Sequence, residues 1–489
     1  MVKKNFSISI SYPPLESSKG IPFLAQNRQF QWTNTGNVIL PVIPAYGASA
    51  LKKLGYKIFW DDAIAEKISY KIWLKRLIKR KPNLIFIESK TPVIKKHWLI
   101  IKEIKKSLPK SLIVLMGDHV TALPEESFKE CPVDYVITGG DYDFMMLSLV
   151  SHLTKKTPLE PGFYHRYQGK IVNTGLFALK HHNLDQMPII DRQLTKWRLY
   201  GFNNTNFKYK PGAYIMSGRD CWWGKCTFCS WTTTHPGNTF RTFSVEHIIK
   251  EIESLAKLGV REIFDDAGTL PIGSWLNDLC HELIERGLNK KVVLGCNMRF
   301  GALNQEQYNL MAQAGFRFIL YGLESANQKT LTKINKNTKP EDAKNTLSMA
   351  KKAGLEPHIT IMIGYPWESL KDAQNTLNEA RQLFKEGLAD SMQATIVIPY
   401  PGTPLFADCQ RNNLLLTGDW DNYDMRQPVM KSPINKETQL KLVRELFYGI
   451  LTPQFLWRKI TSIKNLDDLK FLTTYAVKYF QKLRDFPTN

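Results

Sequence analysis

No stretch of this 489-residue chain stays apolar for the ~18–20 residues that a bilayer-crossing helix needs, so a membrane span is not expected. The opening segment, Met-Val-Lys-Lys-Asn-Phe-Ser-Ile-Ser-Ile-Ser-Tyr-Pro-Pro, is too short and too polar for a signal peptide, and a cytoplasmic location is expected. Cysteine is scarce. There are seven, of which Cys131, Cys280, Cys296 and Cys409 are scattered, so a disulfide framework is excluded. Acidic residues are also in short supply, 45 against 66 Lys and Arg, a formal charge of +21. Residues 67–110 alone hold fourteen Lys and Arg against Glu88 and Glu103, a net of +12. Such a charge invites nucleic acid. However, Lys71, Lys75 and Lys79 share one helical stripe beside an apolar one of Ile68, Ile72 and Leu77, the pattern of a solvated outer face. No aromatic-rich strand of an RNA-binding module accompanies it, so nucleic acid is not the expected partner.

What the chain does have is alternation. Strand signals at Phe6–Ile10, Lys57–Trp60, Leu84–Ile87, Leu112–Met116 and Tyr135–Ile137 are separated by helical ones such as Tyr46–Leu54. This predicts a doubly wound parallel sheet over residues 1–150, with ligands at the carboxyl ends of its strands. Residues 151–210 break the rhythm and read as a linker, with a hairpin around Gln168-Gly169. From 211 to 432 helices end in Gly259, Gly287, Gly315, Gly354 and Gly387, each just before a strand-like run. Six strands follow, at 213–216, 261–264, 292–294, 318–321, 359–363 and 394–398. They predict a partial (β/α)6 barrel of the TIM type, with active residues on the loops after the strands. Residues 433–489 read as a helical C-terminal segment. The fold class is therefore α/β.

The remaining three cysteines lie within nine residues, Cys221, Cys226 and Cys229, directly after the first barrel strand. Three thiolates without a nearby fourth make an open metal site, as catalysis at a metal requires. A zinc site that recruits His235, an iron–sulfur cluster with one free iron, and buried small side chains are the competing readings. The position at a barrel rim favours the cluster.

Cys221-x4-Cys226-x2-Cys229, with Phe228 before the last cysteine, resembles the cluster loop of the radical SAM superfamily, although the usual spacing is Cys-x3-Cys-x2-Cys. Phe264-Asp265-Asp266-Ala267, Tyr321-Gly322-Leu323-Glu324-Ser325, Ile361-Met-Ile-Gly364-Tyr-Pro366 and Pro399-Tyr-Pro-Gly-Thr-Pro404 are similar, in order, to segments of its cobalamin-binding branch. Gly117-Asp118-His119-Val-Thr121 and Gly139-Gly140-Asp141 resemble loops of that branch's N-terminal domain. The histidine-bearing Asp-x-His-x-x-Gly loop is missing, and Tyr12-Pro13-Pro14-Leu15 stands in its place.

The resemblance implies an enzyme that uses a 4Fe-4S cluster on Cys221, Cys226 and Cys229 to cleave S-adenosylmethionine to a 5′-deoxyadenosyl radical. It further implies cobalamin and methylation of an unactivated carbon or phosphorus, in the manner of the class B methyltransferases. Phe228, Asp265, Asp266, Arg299, Glu324 and Gly364 would bind S-adenosylmethionine. Pro14, Gly117, His119, Thr121, Gly139 and Gly140 would contact cobalamin. A reductant such as flavodoxin or ferredoxin would serve as partner, and the substrate is not named by the sequence. Two alternatives remain at this point: a cobalamin-dependent cyclase or rearrangement enzyme, and a zinc-containing basic nucleic-acid-binding protein. A methylthiotransferase would need three more cysteines in the N-terminal domain, which has only Cys131.

Overall fold

The computed structural model describes residues 5–24, 30–33, 37–179, 182–202, 204, 206–237, 239–483 and 486. The chain divides into two compact units. The first comprises Met1–Asn203, Cys229–Thr239 and Tyr400–Thr403. The second comprises Asn204–Phe228, Phe240–Pro399 and Pro404–Asn489.

In the first unit the sheet strands are Ser7–Tyr12 (β1), Lys57–Asp62 (β2), Leu84–Glu88 (β3), Leu112–Met116 (β4), Tyr135–Ile137 (β5), Phe163–Tyr167 (β6) and Lys170–Asn173 (β7). Their spatial order is β2-β1-β3-β4-β5-β6-β7, with the first five parallel. Nearly every residue of β1, β3 and β4 is buried, as strands covered on both faces require. The hairpin expected at Gln168-Gly169 is present, and both turn residues have positive φ (48° and 78°), as a tight two-residue turn demands. It does not belong to a linker. It extends the first sheet as an antiparallel edge on β5.

The basic stretch carries the helix Tyr70–Arg80 (α1). Lys71, Lys75 and Lys79 face solvent as expected. The apolar stripe is a correction: Ile72 is 57% exposed, and Trp73 and Leu77 are the residues buried. The rotation follows from the carboxylate of Asp61 at the end of β2, which is wholly buried and needs counter-charge. Arg76 and Arg80 both turn inward to it.

The second unit holds six parallel strands in sequence order, Gly212–Ile215 (β8), Glu262–Asp265 (β9), Val293–Met298 (β10), Phe316–Glu324 (β11), Glu356–Ile363 (β12) and Ser391–Ile396 (β13). Helix Val245–Lys257 (α2) shows how the connections are specified. Ser244 caps it by accepting from the amide of His247, and Ile248, Ile249, Ile252 and Leu255 are buried at helical spacing. At the start of the strands a buried ion network fixes the floor. Arg317 of β11 pairs with Glu262 of β9 and Glu356 of β12. Lys208 pairs with Glu356 at 3.1 Å and with Asp468 of the tail at 2.9 Å. The tail is helical, Lys436–Gly449 (α3), Pro453–Thr461 (α4) and Leu466–Leu483 (α5).

All five helix-ending glycines adopt positive φ. Gly354 isolates the effect, since its φ is +85° and no atom lies within 4 Å of an added Cβ. Gly354→Ala should therefore cost only the left-handed strain, about 1–2 kcal/mol. A lowered urea midpoint with unchanged slope would report it.

Candidate functional site

The cysteine loop follows β8 and the two-residue strand Gly218–Arg219. Its backbone turns at Asp220 with φ +74°. Around it, three strand-end loops of the second unit close in. After β9, Gly268 lies so near that a Cβ would come within 3.0 Å of the Asp220 carbonyl and 3.1 Å of Cys221 Cβ, which accounts for glycine there. Thr269 Oγ1 is 2.9 Å from Cys221 Sγ, and Trp222 Nε1 donates to the Leu270 carbonyl. After β11, Trp223 Nε1 donates to the Asn335 carbonyl and the Thr227 amide to that of Ile334. After β13, the Leu405 amide donates to the Thr227 carbonyl. The guanidinium of Arg299, just past β10, stacks over Trp223 (4.4 Å) and Trp222 (5.4 Å) and donates to the Lys336 carbonyl.

Charge is concentrated here. Lys336 Nζ meets Glu324 Oε1 at 2.8 Å, both side chains over nine-tenths buried. Glu324 has φ +61°, and Gly322 must lack a side chain because a Cβ would collide with both charged groups. Burial pushes the Cys226 thiol up, opposed by the cations of Lys336 and Arg299. Burial also disfavours the Lys336 ammonium, but Glu324 and Cys226 outweigh it and hold it above its ordinary value. The Tyr365 hydroxyl is buried without a hydrogen-bond partner, and Glu324, Glu368 and Cys226 are its charged neighbours.

The expected site residues thus divide. Cys221, Cys226, Arg299 and Glu324 gather at the mouth of the second unit, with Phe228 buried beside them in sequence. Asp266 is buried, its amide bonded to the Ile215 carbonyl. Asp265 is committed to the fold, since its Oδ1 accepts from the amides of Ser217 and Ala267. Gly364 (φ +101°) is required by Gln439 of α3, which fills the place of a side chain. Sequence reasoning missed Lys336, whose only signal is its place between two asparagines, Asn335 and Asn337, that both turn left-handed. Among the described residues no three His, Cys, Asp or Glu side chains stand where they would chelate a single metal ion. His235 is buried and stacked on Trp231 at 5.1 Å. A four-iron cluster spreads its thiolates over separate irons and suits three soft donors with cations alongside.

In the first unit the order of the five parallel strands is the flavodoxin-like 2-1-3-4-5, whose ligand crevice lies between the first and third. Tyr12 ends β1 and Glu88 ends β3, and the Tyr12 hydroxyl donates to Glu88 Oε2 at 2.6 Å. Burial raises the Glu88 carboxyl to about 7, against the pull of Tyr12 and Lys90. Glu88 Oε1 and the Tyr142 hydroxyl are buried with no hydrogen-bond partner. Tyr12, Asp62, Val38, Pro41 and Ile64 line a shallow cleft there. Polar atoms left without partners at a switch point are the kind of group a ligand would satisfy. The sequence signal for Glu88, an acid that ends an apolar run, was overlooked.

Of the residues expected to contact cobalamin, Pro14 is half-buried and Gly140 buried. Thr121 Oγ1 ties the Gly117 carbonyl to the Gly139 amide. Gly117 (φ +131°) is required by the Ser89 carbonyl and Gly139 (φ +82°) by the Phe177 ring. His119 is wholly buried, with Nε2 2.9 Å from Glu126 and Nδ1 3.2 Å from Thr91. Both ring nitrogens are thus engaged within the first unit.

Residues 215–380 match the radical SAM superfamily. The barrel is a radical SAM domain. The family implies a 4Fe-4S cluster and S-adenosylmethionine, and the chain is a radical SAM enzyme. An uncharacterised methyltransferase of Pyrococcus horikoshii is 29% identical, over 86% of this chain and 90% of its own length. The anaerobic magnesium-protoporphyrin IX monomethyl ester cyclase of Cereibacter sphaeroides is 25% identical over 80% of this chain, which spans 63% of that protein. Among solved structures, the radical S-adenosylmethionine methyltransferase TsrM from Kitasatospora setae, with cobalamin and a 4Fe-4S cluster bound, covers 84% of this chain and 75% of its own (TM-score 0.66, 15% identity). The cobalamin-dependent radical enzyme OxsB, with aqua-cobalamin and S-adenosylmethionine bound, covers 97% and 72% (TM-score 0.68, 16% identity). Both share the fold around the radical SAM domain.

Next to the first unit's Gly139-Gly140 loop, His182 is held by Asp141 at 2.7 Å and Glu160 at 2.9 Å. Burial would lower its pKa, but the two carboxylates raise it to about 9. Because the folded value is raised, the stabilisation is complete below the ordinary 6.5 and is lost as pH climbs through about 9. His182→Gln should therefore destabilise the chain most below about pH 6.5. The gap to wild type in urea melts should close by about pH 10.

Proposed function

We propose that the chain is a cobalamin-dependent radical SAM methyltransferase that acts on an unactivated carbon or phosphorus of a substrate yet to be named. The observation that carries this reading is the cysteine loop, clamped by the loops after β9, β11 and β13 and flanked by Lys336 and Arg299. It is supported by the orphaned polar atoms at the switch point of a flavodoxin-order sheet in the same chain. The likeness to methyltransferases among the relatives agrees with it.

When bound, the cluster supplies the electron that cleaves S-adenosylmethionine, and cobalamin supplies the methyl carrier. Cys221, Cys226 and Cys229 would ligate three irons, with Thr269 a hydrogen-bond partner to the first sulfur. Arg299 and Lys336 balance thiolate charge. Glu324, fixed by Lys336, presents its carboxylate to the polar groups of S-adenosylmethionine, and the Tyr365 hydroxyl offers a donor beside it. Trp222 and Trp223 wall the loop and stack on Arg299. In the first unit Tyr12 and Glu88, at the ends of β1 and β3, would meet the polar edges of cobalamin. A flavodoxin or ferredoxin would deliver the electron. The cyclase relative favours a second reading, the same cofactors closing a ring.

Reduced, reconstituted protein loaded with cobalamin should yield 5′-deoxyadenosine from S-adenosylmethionine. Cys226→Ala should lose cluster iron and at least about a thousandfold of that activity, as loss of an essential group does. Unchanged turnover would sink the cluster assignment. A product heavier by one methyl group would mark a methyltransferase, and a product lighter by hydrogen would mark a cyclase.

A further inference from the structure

The tail helices of the second unit have two apolar faces where one would suffice. One face packs inward. Tyr479 of α5 meets Phe447 of α3 edge-on at 5.4 Å, and Phe455 of α4 meets Phe384 at 5.4 Å. Asp468 pairs with Lys208 and Asp467 with Arg261. The other face looks to solvent. On α5, Leu466 (71% exposed), Leu469, Val477 and Phe480 recur on one side of the helix, within an arc of about 100° at 3.6 residues per turn. On α4, Leu456, Trp457 (67% exposed) and Ile460 do the same. Of the seventeen large apolar side chains exposed among the described residues, eight fall between Tyr448 and Phe480, so the exposure is concentrated rather than scattered.

The charge around this face is of one sign. Residues 453–483 contain six Lys and Arg and two acids. Both acids, Asp467 and Asp468, are spent on cations elsewhere in the unit, while Lys464 and Lys470 stay exposed. A second copy of the chain would bring another +21 of like charge to the contact, which disfavours self-association. Two short amphipathic helices with Leu456, Trp457, Leu466 and Phe480 exposed, Lys464 and Lys470 exposed beside them and no length to span have the make-up of interfacial elements. No helix among the described residues is long and apolar enough to cross a membrane.

We infer that α4 and α5 form a peripheral docking face for a bilayer with anionic headgroups. Leu456, Trp457, Ile460, Leu466, Val477 and Phe480 enter the headgroup–acyl boundary, and the lysines meet lipid phosphates. This inference is independent of the cofactor assignment.

The test is co-sedimentation of the full chain with vesicles of phosphatidylglycerol and phosphatidylcholine in equal parts, and with phosphatidylcholine alone. The expected result is partition into the anionic vesicles at least about tenfold stronger than into the neutral ones, and weaker as salt is raised. The triple variant Leu466→Gln, Val477→Gln, Phe480→Gln should lose at least about tenfold of that partition. Its melting temperature should not fall, because these side chains leave the inward face untouched. Trp457→Ser alone should lose a smaller factor. Failure of the wild-type chain to sediment with anionic vesicles overturns the inference, as does equal partition of wild type and triple variant. A dimer in solution that the triple variant dissolves also overturns it and assigns the face to a second copy.

Discussion

The buried guanidinium of Arg317 is the constraint on which the second unit rests. Parallel strands have no hairpins to fix their register, so something must hold their starts level if the loops at their far ends are to meet. Arg317 spans two carboxylates, Glu262 on β9 and Glu356 on β12, and the pair keeps its charge well above the ordinary range for a guanidinium despite burial. Glu262 also accepts from the amides of Lys208 and Tyr209, which tethers the segment that leads into β8. A lone buried arginine would be costly; one that satisfies two carboxylates levels three strands at once. The tail joins the same network through Asp468.

With the floor fixed, the rim is free to specialise. The cysteine loop contributes only sulfur and tryptophan, and its neighbours contribute charge. Lys336 and Glu324 come from opposite ends of the loop after β11, and their pairing depends on a glycine at 322 and on a left-handed backbone at 324. Strain of this kind persists only where the surroundings over-determine it. Here Lys336 and Thr360 hold the Glu324 carboxylate, and Arg299, stacked on the two tryptophans, holds the Lys336 backbone, so ion pairing and ring packing are linked through Lys336.

Much of this was legible in the sequence for physical reasons. The helix-ending glycines are readable because few other residues tolerate the left-handed conformation. The strands of both sheets are readable because burial on two faces demands unbroken apolar runs. Cys221, Cys226, Arg299 and Glu324 stand out in the sequence because chemistry restricts the residue types, and the structure brings them together. What was not legible depends on contacts distant in sequence. Arg317 finds partners 55 and 39 positions away. The inward turn of Arg76 and Arg80, which exposes Ile72, follows from a carboxylate on another element. Asp265, Gly364 and His119 are engaged by backbone amides, the side chain of Gln439 and the carboxylate of Glu126, contacts that no local pattern announces.

The anchors of the cysteine loop are indole and backbone groups: Trp222 to Leu270, Trp223 to Asn335, Thr227 to Ile334 and Leu405 to Thr227. These anchors need no thiol, and Cys221 Sγ adds one more contact, to Thr269 Oγ1. Folding and metal loading are therefore separable here, unlike in small zinc modules whose fold is created by the ion. Iron stripped by oxygen would leave a standing scaffold, ready for reassembly without passage through an unfolded state. Damage to the centre then becomes a matter of repair rather than replacement.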